Sequence, residues 1–112
     1  MIKNGWNINV KTTNDPKYFN KCGGTNTWFG YTYGKTVGSI STTFSGYGKA
    51  VLNYGNCIGG QVKVYLNGNE INRAHRQPSK EFTFNYSKGD TLSIKEFRAS
   101  IIKLNSLEIK PN

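Results

Sequence analysis

Hydrophobic and polar residues alternate along most of the chain, and glycine and asparagine interrupt the alternation. The clearest alternating runs are residues 49–54 and residues 61–66. A period of two residues is the pattern of a β-strand that buries one of its faces. The second run ends at Asn67-Gly68, a dipeptide that readily adopts the positive φ angles of a two-residue type I′ turn. The pattern therefore predicts strands in both runs and a hairpin turn at Asn67.

Further segments show the same alternation and extend the prediction of β-structure. Residues 6–11 read as a half-buried strand, and the three aromatic side chains of residues 80–86 share one face. Short turns rich in glycine and serine separate residues 36–44 from residues 49–54, and residues 80–86 from residues 91–97. We expect each of these two pairs to form a hairpin.

The last alternating run contains an irregularity. Leu104 and Leu107 cannot both lie on the buried face of a regular strand, because successive side chains point to opposite faces. This predicts a bulge or a change of sheet between them. About eight strands at this spacing indicate an all-β fold, an antiparallel β-sandwich or jelly roll. With 112 residues, 13 of them glycine, we expect residues 1–112 to form a single β-sandwich domain.

The two cysteines, Cys22 and Cys57, bear on the cellular setting. An even number in a glycine-rich β domain favours one disulfide bond, although two unpaired thiols in the core would also fit. No stretch has the ~20 apolar residues of a membrane-spanning helix, and no signal-peptide pattern is present. Two settings are compatible with this, an intracellular protein and a mature secreted protein. The expected disulfide favours the secreted, extracellular protein. The sequon at Asn85 is a candidate glycosylation site that fits secretion.

Four motifs are similar to those of a known kind of protein. They cover residues 46–57, 62–68, 84–96 and 102–107, roughly the last two-thirds of the chain. Together they resemble a small cysteine-containing all-β module of extracellular proteins in cnidarians and other marine invertebrates. The motif residues are turn glycines and alternating core positions, so the resemblance implies a fold and no catalytic residue. The architecture is also similar to the jelly rolls of carbohydrate-binding modules and lectins, an analogy of fold alone.

The residues give little support to catalysis. The six acidic residues are scattered, and none forms a pair typical of glycosidases. His75 is the only histidine, and no Gly-x-Ser-x-Gly or phosphate-binding glycine motif accompanies it. A metal site is not expected, because there is no Cys-x-x-Cys motif and calcium usually requires several carboxylates. We therefore predict a protein that is not an enzyme and has no catalytic residue, metal or cofactor.

The first candidate binding segment is rich in aromatic residues. It contains Asn26, Trp28, Tyr31 and Tyr33. Aromatic rings can stack under the C–H face of a sugar while amide and hydroxyl groups bind its hydroxyls. The alternative is that Trp28 closes one end of the hydrophobic core.

The second candidate segment is polar. It contains Asn72, Arg73, His75, Arg76 and Gln77, whose side chains can donate hydrogen bonds to sugar hydroxyls or to anionic groups. The alternative is a solvated loop with no ligand. We expect these polar loops to form a shallow site at one end of the sandwich.

The charge balance adds a third observation. Fifteen Lys and Arg residues against six acidic ones give a net charge of +9 and an isoelectric point near 9.7, so the surface attracts polyanions at low salt. The basic residues are dispersed along the chain, which also fits solubility and the protection of edge strands. Acidic or sulfated glycans would satisfy both the charge and the aromatic residues. Nucleic acid is not the expected partner, since no recognised nucleic-acid-binding motif is present.

Together these observations predict a secreted, non-enzymatic, lectin-like protein that binds glycans. A single shallow sugar site is weak, so we also predict a homo-oligomer, at least a dimer, that gains affinity by multivalency. Two alternatives stay open. One is a structural or adhesive matrix protein that self-assembles, and the other is a charge-driven binder of sulfated glycan, nucleic acid or anionic membrane.

Overall fold

The structure is a computed structural model that describes residues 5–9, 11–12, 28–31, 38–56, 60–97 and 101–111. For residues 8–9, 11–12, 28–31 and 101 the description covers the backbone alone. The strands are β1 (Asn7–Asn9), β2 (Lys11–Thr12), β3 (Trp28–Tyr31), β4 (Ser39–Thr43), β5 (Gly48–Asn56), β6 (Gln61–Leu66), β7 (Asn69–Ala74), β8 (Lys80–Tyr86), β9 (Thr91–Phe97) and β10 (Ile101–Pro111).

The strands form two antiparallel sheets that pack as a sandwich. Sheet A has the strand order β1-β4-β9-β6-β7, and sheet B has the order β2-β3-β10-β5-β8. The predicted all-β sandwich of the jelly-roll type is confirmed. The described residues contain ten strands rather than about eight. One reason is that residues 6–11 do not form one strand: β1 joins sheet A, and β2 joins sheet B.

Two of the three predicted hairpins are wrong, and one is confirmed. β4 and β5 lie in different sheets, as do β8 and β9, so their turns carry the chain across the sandwich. A hairpin and a turn that crosses between the sheets have the same alternation in the flanking strands and the same kinds of turn residue. The sequence therefore does not distinguish the two connections. β6 and β7 do form a hairpin. Its turn residues have the required positive φ angles, 52° at Asn67 and 85° at Gly68.

The predicted irregularity in the last strand is a bulge. The pairing of β10 with β5 shifts register between Leu104 and Ser106. Leu104 pairs with Tyr54 and Leu107 pairs with Leu52, both fully buried residues of β5. The bulge thus lets both leucines face the interior.

The core lies between the two sheets and is built from alternate residues of their central strands. Its largest fully buried side chains include Ile40, Leu52, Tyr54, Leu92 and Ile94. Phe82, Phe84 and Tyr86 of β8 share the inner face, as the alternation predicts, and they pack on this core or within it. Two charged residues of the described chain are buried, Glu96 and Lys103. The carboxylate of Glu96 accepts a hydrogen bond from the N–H of Gly38 at 3.1 Å.

Several sequence predictions fall outside this description or stay untested by it. Cys22 and Cys57 lie outside the described residues, so their disulfide stays a prediction. Asn85 is exposed on β8, a strand at the edge of sheet B, and its glycosylation also stays a prediction. Within the described part of the chain, no helix combines the length and the hydropathy that crossing a membrane requires.

Candidate functional site

An open cleft of about 310 Å³ lies between the sheets, at the end where the chain crosses from β4 to β5. Its described lining residues are Trp6, Thr42, Thr43, Phe44, Ser45, Gly46, Tyr86, Leu107 and Ile109. They come from both sheets and from the segment before β1, so the cleft exists only in the folded sandwich.

The floor of the cleft is an uncovered part of the inner face of β10. In the described residues, β3 pairs with β10 only from Ile101 to Leu104, and beyond the bulge β10 pairs with β5 alone. Ile109 pairs with Ala50, which is 0% exposed, so Ile109 faces the interior as well. Ile109 is nevertheless 42% exposed. Together with the half-buried Trp6 and Leu107, Ile109 gives the cleft an apolar surface that a ligand can cover.

The aromatic walls of the cleft are held in place by packing and by backbone hydrogen bonds. Phe44 and Tyr86 stack with their ring centroids 4.3 Å apart. The backbone of Phe44 forms two hydrogen bonds with the turn between β8 and β9. The N–H of Phe44 donates to the carbonyl of Asp90 at 2.9 Å, and the N–H of Gly89 donates to the carbonyl of Phe44 at 2.8 Å. These contacts favour a preformed wall.

Trp6 stands on the sheet A side of the cleft. It is half-buried and packs against the core cluster. The hydroxyl of Thr42 donates a hydrogen bond to the carbonyl of Gly5 at 2.7 Å, which ties the segment before β1 to β4. The indole ring is thus held beside the cleft while part of its surface stays accessible.

The polar side-chain groups of the described lining are the indole N–H of Trp6 and several hydroxyls, and none of these lining residues is charged. Thr43 and Ser45 supply hydroxyls that can donate and accept hydrogen bonds. The hydroxyl of Thr42 donates its hydrogen to Gly5 and can accept a hydrogen bond from a ligand. Such a lining suits a neutral molecule with an apolar face and several hydroxyls. It offers no carboxylate or imidazole for acid–base chemistry. In addition, the described residues contain no group of three or more His, Cys, Asp or Glu that could hold a metal ion.

The structure divides the predicted polar segment between three environments. Asn72 faces the interior, where its side-chain oxygen accepts a hydrogen bond from the hydroxyl of Tyr54 at 2.5 Å. Arg73 lies on the outer face of sheet A and binds Glu70. His75, Arg76 and Gln77 are exposed in the connection between β7 and β8. The five residues therefore do not converge on one point.

The connection between β7 and β8 is fixed to the end of β5, opposite the cleft. The N–H of Asn56 donates to the carbonyl of Gln77 at 2.8 Å, and the N–H of Arg76 donates to the side chain of Asn56 at 3.1 Å. Arg76 has a φ of 55°, a left-handed conformation that is uncommon for a residue other than glycine. The backbone is thus well anchored while the side chains stay accessible.

The aromatic segment is only partly described. Trp28 and Tyr31 begin and end β3, whereas Asn26 and Tyr33 lie outside the described residues. In sheet B, β10 and β5 separate β3 from β8, so the aromatic segment and the polar connection are not neighbours in the sheet. Sugar binding at these predicted residues stays a prediction.

The buried Tyr54–Asn72 pair predicts a loss of stability at high pH. Burial raises the pKa of Tyr54 above its usual value of 10.0, and the charge of Glu70 raises this pKa further. In the unfolded chain the phenol ionises near pH 10, whereas in the folded chain it stays protonated, so folding is disfavoured as the pH rises above 10. We expect Tyr54→Phe to cost about 1–2 kcal/mol at neutral pH. This difference from wild type should shrink between about pH 9 and about pH 11.

Urea unfolding of the wild type and of Tyr54→Phe across this pH range measures the effect. The other six tyrosines are common to both proteins, so the difference isolates Tyr54. A difference that is the same at both ends of the range would contradict the prediction.

Sequence reasoning missed the residues of the cleft. In the alternating pattern Trp6 and Leu107 fit ordinary buried positions of strands, and nothing in the pattern distinguishes Ile109. The one available signal was the broken alternation between Leu104 and Leu107, which indicates that the last strand changes its surroundings there. The alternation does not show that the inner face beyond the bulge is uncovered.

Two solved structures have a similar fold. One is the CBM35 from Paenibacillus barcinonensis, which is 13% identical over 97% of this chain and 94% of that chain, with a TM-score of 0.51. The other is a family 35 carbohydrate binding module from an environmental isolate, which is 20% identical over 96% of this chain and 88% of that chain, with a TM-score of 0.50. Identities this low show a shared fold and no more.

Comparison by sequence adds no family. No protein-family model matches the chain, and no curated protein matches it. These comparisons give no support to the resemblance to an invertebrate extracellular module.

Proposed function

We propose that this protein is a carbohydrate-binding module without catalytic activity, and that a short neutral saccharide binds in the cleft. The observation that carries the proposal is the exposed side chain of Ile109 on the inner face of β10, which lines the cleft together with the half-buried Trp6. Phe44 and Tyr86 also line the cleft, but they are 7% and 5% exposed and contribute little open surface. The fold similarity to two carbohydrate-binding modules supports the same function.

The chemistry of the cleft matches the two kinds of surface on a sugar. The C–H face of a sugar is apolar and packs against aromatic and aliphatic groups, and its hydroxyls exchange hydrogen bonds with serine and threonine. A volume of about 310 Å³ lies at the lower end of the range of roughly 300–1,000 Å³ for small-molecule sites. The absence of charge among the described lining residues favours a neutral sugar, whose binding should depend little on salt.

The two tryptophans allow a test of where the saccharide binds. A glycan array at about 0.15 M salt identifies a neutral ligand, and the array is repeated at higher salt. The ligand is then titrated into Trp28→Phe, which keeps only Trp6, and into Trp6→Phe, which keeps only Trp28. We expect saturable changes in tryptophan emission from Trp28→Phe and none from Trp6→Phe. Trp6 lines the cleft, whereas the described backbone of Trp28 pairs with Leu104, on the far side of the bulge from Ile109.

The two variants are matched controls, since each replaces one indole by a smaller aromatic ring. A change from Trp28 alone would place the sugar at the aromatic segment and refute the cleft. Failure to bind any neutral saccharide on the array would refute the proposal as a whole.

The setting of the protein remains part of the proposal. We expect a secreted, extracellular protein, as the two cysteines and the sequon suggest. A cleft of this size binds one short saccharide weakly, so assembly of the chain into a homo-oligomer, at least a dimer, would supply the missing affinity.

A further inference from the structure

The outer face of sheet A carries three basic side chains in a line across three strands. Lys95 of β9 pairs with Lys63 of β6, and Lys63 pairs in turn with Arg73 of β7. Neighbouring strands are ~4.8 Å apart, so these three residues are neighbours on the surface of the sheet. We call these three residues the basic row. Like charges directly opposite each other destabilise a sheet, and such local costs are expected where side chains serve a function.

Two aromatic rings hold the lysines of the basic row in position. The Nζ of Lys63 lies 5.0 Å from the ring centroid of Phe97, and the Nζ of Lys95 lies 4.9 Å from the ring centroid of Tyr65. Phe97 and Tyr65 are two residues from the lysine on their own strand, in opposite directions along the sheet. Phe97 attracts the ammonium group of Lys63 and Tyr65 attracts that of Lys95, so the two ammonium groups are drawn in opposite directions. The repulsion is reduced while both charges are kept.

One carboxylate neutralises only part of this charge. Glu70 accepts a hydrogen bond from the Nε of Arg73 at 2.9 Å and lies 3.6 Å from the Nζ of Lys63. The hydrogen bond from Arg73 lowers the pKa of Glu70, which is therefore ionised at neutral pH. Lys95 forms no ion pair with any other described residue. The row thus keeps a net positive charge, with Lys95 as its least neutralised member.

We propose that the basic row binds a sulfated polysaccharide. Charge complementarity is the first reason, since fixed cations on a chain of net charge +9 attract a polymer of anions. The second reason is the presence of hydroxyl groups beside the basic row. Ser39 pairs with Lys95, and Ser41, two residues further along β4, pairs with Ser93. Hydroxyls of this kind can bind the sugar units between sulfate groups.

The side-chain chemistry favours a tetrahedral anion such as sulfate over a carboxylate. The planar fork of Arg73, which would suit a carboxylate, is already bound to Glu70, whereas lysine ammonium groups bind tetrahedral anions as point charges. Single-stranded nucleic acid binds by stacking its bases on open aromatic rings. Here an ammonium group lies over each of the two rings, so their covered faces are closed to bases.

This surface is separate from the cleft. The cleft opens between the sheets and has an uncharged described lining, whereas the basic row lies on the outer face of sheet A. Its ligand is anionic and its binding should weaken with salt, unlike that of the neutral saccharide.

Binding of dextran sulfate, with uncharged dextran as the matched polymer, tests the proposal at about 0.15 M salt. We expect Lys95→Gln to weaken dextran sulfate binding about three- to fivefold. Lys88→Gln removes the same charge from an exposed position in the turn between β8 and β9, and it should leave binding nearly unchanged. Glu70→Gln should strengthen binding, because it frees Arg73 and Lys63, and Lys95→Arg should retain it.

The outcomes separate the proposal from its rivals. Equal losses in Lys88→Gln and Lys95→Gln would overturn it in favour of diffuse attraction. Binding of single-stranded DNA as tight as that of dextran sulfate, with the same response to the variants, would overturn it in favour of nucleic acid. Saccharide titrations of Trp28→Phe should give the same change in Trp6 emission with and without Lys95→Gln. A failure of the cleft proposal can therefore be told from a failure of the basic-row proposal.

Discussion

Replacement of Gly55 by alanine is expected to lower the free energy of unfolding by about 3 kcal/mol. A Cβ at this position would lie 2.3 Å from the carbonyl oxygen of Pro78 and 2.4 Å from that of Gln77. Both are backbone atoms, so the connection between β7 and β8 would have to move. That movement would also disturb the hydrogen bond from the N–H of Asn56 to the carbonyl of Gln77.

Gly46→Ala is the matched control for Gly55→Ala. A Cβ at Gly46 would meet no atom within 4 Å, so this variant should stay within about 0.5 kcal/mol of the wild type. Urea unfolding of the three proteins measures both effects. A midpoint for Gly55→Ala equal to that of Gly46→Ala would mean that the connection is free to move and is not anchored on β5.

Replacement of Leu52 by alanine should cost a similar amount, about 3 kcal/mol, for a different reason. Leu52 is fully buried at the centre of β5, and it pairs with Leu107 on one side and Phe82 on the other. The ladders on both sides keep these neighbours in place, so the structure cannot close the cavity that the smaller side chain leaves. Calorimetry or urea unfolding gives the size of the loss.

Val51→Ala is the control on the same strand. Val51 is half-buried on the outer face of sheet B, where it pairs with Glu108 and Thr83. Its truncation removes less buried surface and leaves no enclosed cavity, so we expect less than half of the loss found for Leu52→Ala. A larger loss of stability in Val51→Ala than in Leu52→Ala would contradict the prediction. It would show that Val51, and not Leu52, is on the covered face of β5.

The location of the strands was predictable because it depends on local chemistry. Alternation in residues 61–66 and the Asn67-Gly68 turn identify β6 and the hairpin with β7, since both signals lie within a few residues of each other. The bulge in β10 was predictable for the same reason: two leucines three positions apart cannot both be buried in a regular strand.

The partners of the strands were less predictable. β4 and β5 are joined by a short turn and still lie in different sheets, because hydrogen bonds to β9 and to β10 decide where they go. Those partners are distant in the sequence, and a turn of residues 45–47 has the same composition whether the chain turns back or crosses over.

The candidate sites show the same division. The sequence showed twelve dispersed lysines, and only the register of β6, β7 and β9 reveals that Lys63 and Lys95 stand side by side with Arg73. The polar segment after Asn72 was recognised, but the alternation of β7 sends Asn72 inward and Arg73 outward, which breaks up the expected cluster.

By itself, the sequence determined the fold class, the turn at Asn67 and the position of the bulge, because each depends on the geometry of a few consecutive residues. Only the tertiary structure decided which strands share a sheet, and therefore which side chains meet. The cleft joins Trp6 to Ile109, and the basic row joins three strands, because the pairing of distant segments brings these residues together. Such pairing is set by the packing of the whole core and not by any local pattern.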